Sequence, residues 1–459
     1  MKTYDIVVIG GGPGGYVAAI RASKEGKKVA LIEQGHLGGT CLNRGCIPSK
    51  ALLKNAEMIH AIRDASKYGI EVGDMRLSLP KMMQRKNHVI NQLRGGIAHL
   101  LRTGNIDFYH GKAEIQPDQI VEITGDKPER IKAGSIIIAT GSSPAVPPIE
   151  GLEQVAYHTS DTIFDIEKIP ASLAIIGGGV IGVEFASIFE SLGTKVTIIE
   201  MADRILATED EMASQVLTKH VGKRGVTILT KAKVTAVKAL GSQKQLMIYN
   251  EAGAKQDVVA EEILVAIGRR PNLSASANLS LDMDGPFIKV NARMETSIPN
   301  LYAIGDVVGN WQLAHVASAE GIVAALNATG HTKDMEYHIV PRCIYTYPEI
   351  ASVGLSEREA KEKGFQVKTS VYQLAVNGKA LASGQAEGFV KLIADETYGE
   401  IVGAVMVGPH VTEMISQISA YMQLEGTVEE MANLIFPHPT VSEGLLEAAS
   451  DWLGKGIHS

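Results

Sequence analysis

The sequence predicts an α/β protein, and three observations carry that reading. Short apolar runs end in glycine-rich turns and lead into helical stretches, the alternation that builds parallel sheets. Glycine is abundant, at 47 of 459 residues, while aromatics make up only 5%; many tight strand-to-helix turns would use that glycine. The strand–turn–helix–strand pattern also occurs twice, ahead of a C-terminal part with a different texture.

The first unit opens with the strand run 6–9. Gly10-Gly11-Gly12-Pro13-Gly14-Gly15 follows and fits G-x-G-x-x-G at Gly10, Gly12 and Gly15. A helix is predicted from Gly12 toward Lys24, then a strand over 29–32 closed by Glu33. Such glycines permit a tight turn and a close approach of backbone to a pyrophosphate, and the helix N-terminus offers free N–H groups to its charge. The acid suits the ribose hydroxyls of an adenosine.

The second unit repeats the design. A strand over 174–176 leads into Gly177, Gly179 and Gly182; a helix is predicted through Val183 to Leu192, then a strand over 195–199 closed by Glu200. The acid stands at the same distance after the first glycine in both units. One such motif alone could be a glycine-rich turn in a packed sheet, but two in full context are specific. They predict two Rossmann-like dinucleotide-binding domains, with FAD on the first and a nicotinamide cofactor on the second. Glu200 favours NAD, because a carboxylate repels the 2′-phosphate of NADP; Arg204, close in sequence, argues the other way.

Boundaries follow from composition. The strand over 136–138 runs into Ala139-Thr140-Gly141, and Pro144, Pro147 and Pro148 read as a linker. The run 263–267, followed by Gly268-Arg269-Arg270-Pro271, reads as the exit from the second unit. Leu301-Tyr302-Ala303-Ile304-Gly305-Asp306 reads as a strand ending in an acid. Strands over 371–374, 389–393 and 401–407 and a helix over 412–423 predict a mixed α/β third domain. The expected division is 1–147 (FAD-binding, first part), 148–270 (NAD-binding), 271–336 (FAD and central domain, second part) and 337–459 (third domain).

Composition excludes several classes. Net charge is −7 and no basic block stands out, so neither nucleic acid nor a membrane is expected as partner. No uncharged run reaches the ~18 residues of a membrane helix; the stretch 173–192 is broken by Glu184 and Glu190. The N-terminus enters a strand pattern at once, so no secretory signal is expected. Three cysteines cannot brace a chain of this size, and the reducing cytoplasm is the expected compartment, where a close cysteine pair is catalytic or metal-binding more often than structural.

That pair is Cys41 and Cys46, within Gly38-Gly39-Thr40-Cys41-Leu42-Asn43-Arg44-Gly45-Cys46-Ile47-Pro48-Ser49-Lys50. Without further cysteines or clustered histidines nearby, zinc is not expected. In a straight helix their Cα atoms would be about 8.7 Å apart, and a disulfide wants under ~7 Å. The pair can bridge only across a bent backbone, which Gly45 permits; such a bridge would be reducible and suited to exchange. Two buried free thiols are the alternative.

This segment, placed after a G-x-G-x-x-G unit, resembles the flavin disulfide oxidoreductases, most closely their dihydrolipoamide dehydrogenase branch. The likeness runs through the chain in order. It takes in Ala139-Thr140-Gly141, the stretch Gly177 to Glu184, Ala303-Ile304-Gly305-Asp306, Tyr345-Thr346-Tyr347-Pro348-Glu349 and His438-Pro439-Thr440-Val441-Ser442-Glu443. It implies that Cys41 and Cys46 form a redox-active disulfide, with Cys46 nearer the flavin. It implies that Glu33, Ala113 and Asp306 hold FAD at the ribose, adenine and ribityl or pyrophosphate ends. Lys50 would sit by the flavin and pair with Glu184, and Ala314 and His315 would line the pyrimidine edge. Gly141 and Gly268 would border the cofactor sites. The third domain would be a dimer interface.

The resemblance also separates His438 from the other histidines. His438 precedes Pro439, a bond that can be cis, and Glu443 lies within reach of its ring. An acid on one imidazole nitrogen sets the tautomer and raises basicity. A turn histidine beside helix-capping Thr440 and Ser442 is the alternative on residues alone. In the family this histidine is the base and reaches the disulfide of the other subunit. The implied substrate is the dihydrolipoyl group of a 2-oxoacid dehydrogenase or glycine-cleavage complex, to which the homodimer would dock.

Two residues depart from that branch. Phe436-Pro437 stands where His-Ala is frequent, and Arg44 where Val is frequent. The second suggests a cation that lowers a thiol pKa. Cys343 is expected to be a buried structural thiol. Glutathione-reductase-like and mercuric-reductase-like activity, or an assembly role alone, are the rivals. Glu200 disfavours the first, the lack of a C-terminal cysteine pair the second, and the intact Cys41, Cys46 and His438 the third.

Overall fold

The computed structural model describes residues 1–125 and 127–458. Its first sheet places strand Lys2–Ile9 between Val29–Glu33 and Glu129–Ile138, all parallel, with Asp107–Gln116 beyond Val29–Glu33 and Leu301–Ala303 beyond Glu129–Ile138. Strand Ile120–Gly125 pairs antiparallel with both Asp107–Gln116 and Glu129–Ile138. Ile6 to Ile9 and Ile136 to Ile138 are buried throughout, the continuous apolar run of strands covered on both faces. Helix Pro13–Lys24 buries only glycine and alanine. That small face lets helix Ala314–Ala328 close on it, with Gly321 packed against the Gly14 carbonyl.

A second sheet is parallel in the order Thr227–Leu229, Lys195–Ile199, Ser172–Ile176, Glu262–Val265, His158–Thr159. The helix predicted over 183–192 runs Val180–Ser191. It begins directly after Gly179, as Pro13–Lys24 begins after Gly12, because the middle glycine of the motif serves as N-cap in both units. The proline linker and the Gly-Arg-Arg-Pro exit lie side by side, Ser142–Pro144 pairing with Arg269–Pro271.

The third sheet is wholly antiparallel, ordered Arg342–Ile344, Glu349–Gly354, Ile401–Gly408, Phe389–Asp395, Val367–Gln373. Helices Val411–Gln423 and Glu443–Trp452 pack with it in one apolar core. Among the described residues no helix is long and apolar enough to cross a membrane.

Candidate redox site and cofactor cradles

In both G-x-G-x-x-G turns the outer glycines are needed for packing. A Cβ on Gly10 would lie 2.1 Å from the Ala139 carbonyl oxygen, and one on Gly177 would lie 2.4 Å from that of Ala266. At Gly15 and Gly182 a Cβ would strike the carbonyl oxygens of Gly10 and Gly177. The middle glycines differ. Around Gly179 nothing lies within 4 Å, and Gly12 meets only Gly39 Cα at 3.9 Å. The space a side chain would fill is left open there, at the uncapped N-terminus of a helix with no acid in its first turn. That is the shape and polarity a pyrophosphate needs.

The two closing acids are held alike. Glu33 accepts from the Gly11 N–H at 2.7 Å and the Gly35 N–H at 2.6 Å. Glu200 accepts from the Gly178 N–H at 2.6 Å and the Ala202 N–H at 2.7 Å. Each carboxylate is thus fixed beside the phosphate turn of its own unit. Arg204 contacts Asp203 through Nη1 at 3.2 Å and donates through Nη2 to the Ala207 carbonyl at 3.0 Å, while its buried Nε has no partner among the described residues.

From the first cradle a cavity of about 850 Å³ leads to the cysteines, within the usual range of a ligand site. Gly10, Gly12, Glu33, Ala113, Gly141 and Asp306 line one part; Cys41, Cys46, Lys50, Glu184, Ala314 and His315 line another. Asp306 accepts a short hydrogen bond from the Ser142 hydroxyl. Buried Glu320 accepts from the neighbouring Gly305 N–H at 2.6 Å and from Tyr337 at 2.7 Å, and burial pushes its carboxyl up to about 7. His315 faces the Pro341 carbonyl at 3.0 Å, and burial lowers its pKa. Gly268 lies at the crossover, its carbonyl accepting from the Ala145 N–H at 2.9 Å.

The cysteine segment is bent as Gly45 permits. Helix Gly39–Arg44 stops, Gly45 leaves helical geometry at φ −143° and ψ −113°, and helix Cys46–Asp64 starts anew. Cys41 and Cys46 are free thiols in this structure, facing one another. The hydrogen bond to Cys46, then burial, pushes Cys41 up. The same hydrogen bond, with the Lys50 charge, outweighs burial and lowers Cys46. Of the two, Cys46 is therefore the more readily ionised.

Lys50 supplies that charge. Its Nζ lies 2.9 Å from each carboxylate oxygen of Glu184, on the helix of the second unit. Arg44 does not play this part: it is half exposed and turned to Asp161 at 3.4 Å. Cys343 is also not the buried structural thiol expected. It is half-buried on the wall of the same cavity, and burial pushes its thiol up to about 11, which leaves it protonated.

His438 and Glu443 meet as expected, Nδ1 to Oε1 at 2.8 Å, and the His438–Pro439 bond is cis. Glu443 also accepts from the Thr440 N–H at 2.8 Å. Against its burial, this bond and the His438 contact hold its carboxyl low. The imidazole is 78% exposed and does not line the cavity of its own chain.

Sequence reasoning missed two cavity residues. Arg269 donates to the Ser142 hydroxyl and carbonyl, each at 2.7 Å, and contacts Asp161 at 3.3 Å. Tyr345 holds Lys50 Nζ 4.3 Å from its ring centroid. Both stand in segments quoted above for other reasons; neither spacing nor residue type marked them.

Residues 4–321 match the pyridine nucleotide-disulphide oxidoreductase family, and residues 340–449 match its dimerisation domain. A dihydrolipoyl dehydrogenase of Bacillus subtilis is 42% identical over 469 residues, covering 99% of each chain. One from Thermus scotoductus is 39% identical, covering 100% of this chain and 99% of the other. Among solved structures, LpdA from Mycobacterium tuberculosis superposes with a TM-score of 0.90 at 27% identity. A Cu(II) complex of the HOCl-induced flavoprotein disulfide reductase RclA from Escherichia coli gives 0.87 at 29%. Each of these structures covers 98% of this chain and 99% of its own. On these matches and on the site they surround, the chain belongs to the pyridine nucleotide-disulphide oxidoreductase family.

Proposed function

We propose that the protein oxidises dihydrolipoyl groups and passes the electrons, through FAD, to NAD⁺. The observation that carries this is the Cys41–Cys46 pair, set with the Lys50–Glu184 ion pair in the cavity that begins at the FAD fingerprint. Glu33, the Gly12 turn, Ala113, Gly141 and Asp306 would hold FAD; the Gly179 turn, Glu200 and Gly268 would hold NAD⁺. Bound FAD supplies a two-electron relay between the dithiol and the nicotinamide.

The residues then act in order. With the pair oxidised, His438 of the partner subunit takes the proton of one substrate thiol, while Glu443 holds the opposite ring nitrogen. The substrate thiolate attacks Cys41 Sγ; the Cys41–Cys46 bond breaks and Cys46 leaves as thiolate, stabilised by Lys50. The second substrate thiol attacks the substrate sulfur of this mixed disulfide, its proton passing to the leaving Cys41 sulfur. Cys41 is released, and the substrate departs as a cyclic disulfide. Two electrons and two protons have left the substrate.

Because the base must come from a second chain, the working unit is a homodimer built on the third domain, with the divisions at 147, 270 and 336. The reducing cytoplasm suits a disulfide that is remade each cycle. A 2-oxoacid dehydrogenase or glycine-cleavage complex is the proposed docking partner. The test is NADH formation from dihydrolipoamide and NAD⁺ by FAD-loaded protein, abolished in Cys41→Ser and Cys46→Ser. Turnover of glutathione disulfide with NADPH instead would overturn the proposal.

A further inference from the structure

We propose that Tyr345 is a positioning residue for the Lys50 ammonium, its ring walling the cation while its backbone N–H steadies the partner carboxylate. The inference rests on the dithiol reading above and deepens it.

Three contacts carry it. Lys50 Nζ stands 4.3 Å from the Tyr345 ring centroid. The Tyr345 N–H donates to Glu184 Oε1 at 3.1 Å. Glu184 in turn takes Lys50 at 2.9 Å through both oxygens. One residue, directly after strand Arg342–Ile344, therefore touches both members of an ion pair that joins helix Cys46–Asp64 to helix Val180–Ser191.

The arrangement answers a physical need. Lysine is a compact, strongly hydrated charge on a flexible four-carbon stem, and Lys50 keeps about a third of its side chain exposed. Glu184 alone fixes one side of the ammonium. An aromatic face attracts the cation electrostatically and keeps water from the side it covers. Burial raises the Tyr345 phenol, so the ring stays neutral while the thiols titrate. Around Cys46 the charged and titratable groups are Cys41, Lys50 and Glu184. Around Tyr345 they are Cys343, Glu184, Glu349 and Glu413. Among these, Lys50 is the one cation, so its placement sets the field that favours the Cys46 thiolate.

Two substitutions separate ring from backbone. Tyr345→Phe keeps the ring and the N–H; Tyr345→Leu keeps only the N–H. Holoenzyme is reduced anaerobically with one equivalent of dihydrolipoamide, and the long-wavelength thiolate–flavin absorbance is followed against pH. Wild type and Tyr345→Phe should share a midpoint. Tyr345→Leu should titrate higher by roughly half to one pH unit, the scale of a cation–π contact. Tyr345→Met serves if the leucine variant does not fold. A Leu or Met variant with the wild-type midpoint or a lower one, or a Phe variant shifted as far as Leu, would overturn the inference alone. A wild type without any such band would overturn the dithiol reading with it.

Discussion

Lys50 and Glu184, 134 residues apart, meet with Nζ 2.9 Å from both carboxylate oxygens, in the cavity that also holds Cys41 and Cys46. The pair joins the helix that starts at Cys46 to the helix that starts at the second dinucleotide turn. It therefore ties the dithiol to the place where the second cofactor would arrive.

Removing one charge of this pair has two readable effects. Losing one partner of a fully buried pair costs about 3–5 kcal/mol; Lys50 is partly exposed, so Glu184→Gln should cost less. The Glu184 charge also opposes the Cys46 thiolate. Glu184→Gln should therefore move the Cys46 midpoint down while slowing dihydrolipoamide oxidation by roughly tenfold or more. Thermal unfolding and a thiolate titration check both; an upward midpoint would contradict the assignment.

His438→Gln removes a proton acceptor but leaves the cysteines untouched. A positioned general base contributes roughly 10²–10⁴-fold, and the dihydrolipoamide-dependent rate should fall by that much, while flavin reduction by NADH should not. If the base comes from the partner, co-expressed His438→Gln and Cys46→Ser chains should recover activity that neither variant has alone. No recovery in verified mixed dimers would place the base within one chain.

Cofactor preference is argued from Glu200, whose carboxylate is held at the second turn by the Gly178 and Ala202 N–H groups. A repulsion of about 1–2 kcal/mol toward a 2′-phosphate is roughly five- to thirtyfold in affinity. Glu200→Ala should narrow the NAD-over-NADP preference by that factor, mainly through KM for NADP. An unchanged ratio would show that another group discriminates.

A polar junction of helices Cys46–Asp64, Val180–Ser191 and Glu211–Lys223 predicts acid sensitivity. Arg224 bonds to His60 Nδ1 and, at 2.8 Å, to His220 Nε2. Each histidine turns its other nitrogen to an acid, His60 to Glu190 at 3.2 Å and His220 to Glu387 at 2.7 Å. A guanidinium only donates, so each histidine accepts from it on the nitrogen it turns to Arg224. Burial, with Arg224 and Lys223, lowers the His220 pKa against the pull of Glu387. A lowered histidine contributes stability that is present above the unfolded value near ~6.5 and lost as pH falls through the folded one. The unfolding midpoint should drop below about pH 6.5 more steeply in wild type than in His220→Gln. Parallel curves would remove the junction from the account.

Much of this site was legible because its signals are local. Both dinucleotide turns, both closing acids and the break at Gly45 follow from spacing within a few dozen residues. Lys50–Glu184 came only from the family likeness, since two charges that far apart carry no local signature. Arg269 and Tyr345 were not legible at all: their partners, Ser142 and Lys50, lie far away in the chain and meet them only when the sheets assemble. Arg44 misled for the opposite reason. Nearness in sequence to both cysteines suggested a charge effect, but its side chain points to Asp161.

The most direct measurement is an anaerobic titration of the FAD-loaded protein with dihydrolipoamide, followed by NAD⁺, watching the flavin spectrum. A long-wavelength band that grows with dihydrolipoamide and is discharged by NAD⁺, with stoichiometric NADH, is the predicted result. No spectral change with dihydrolipoamide, but bleaching by NADPH, would contradict both the substrate and the role given to Glu200.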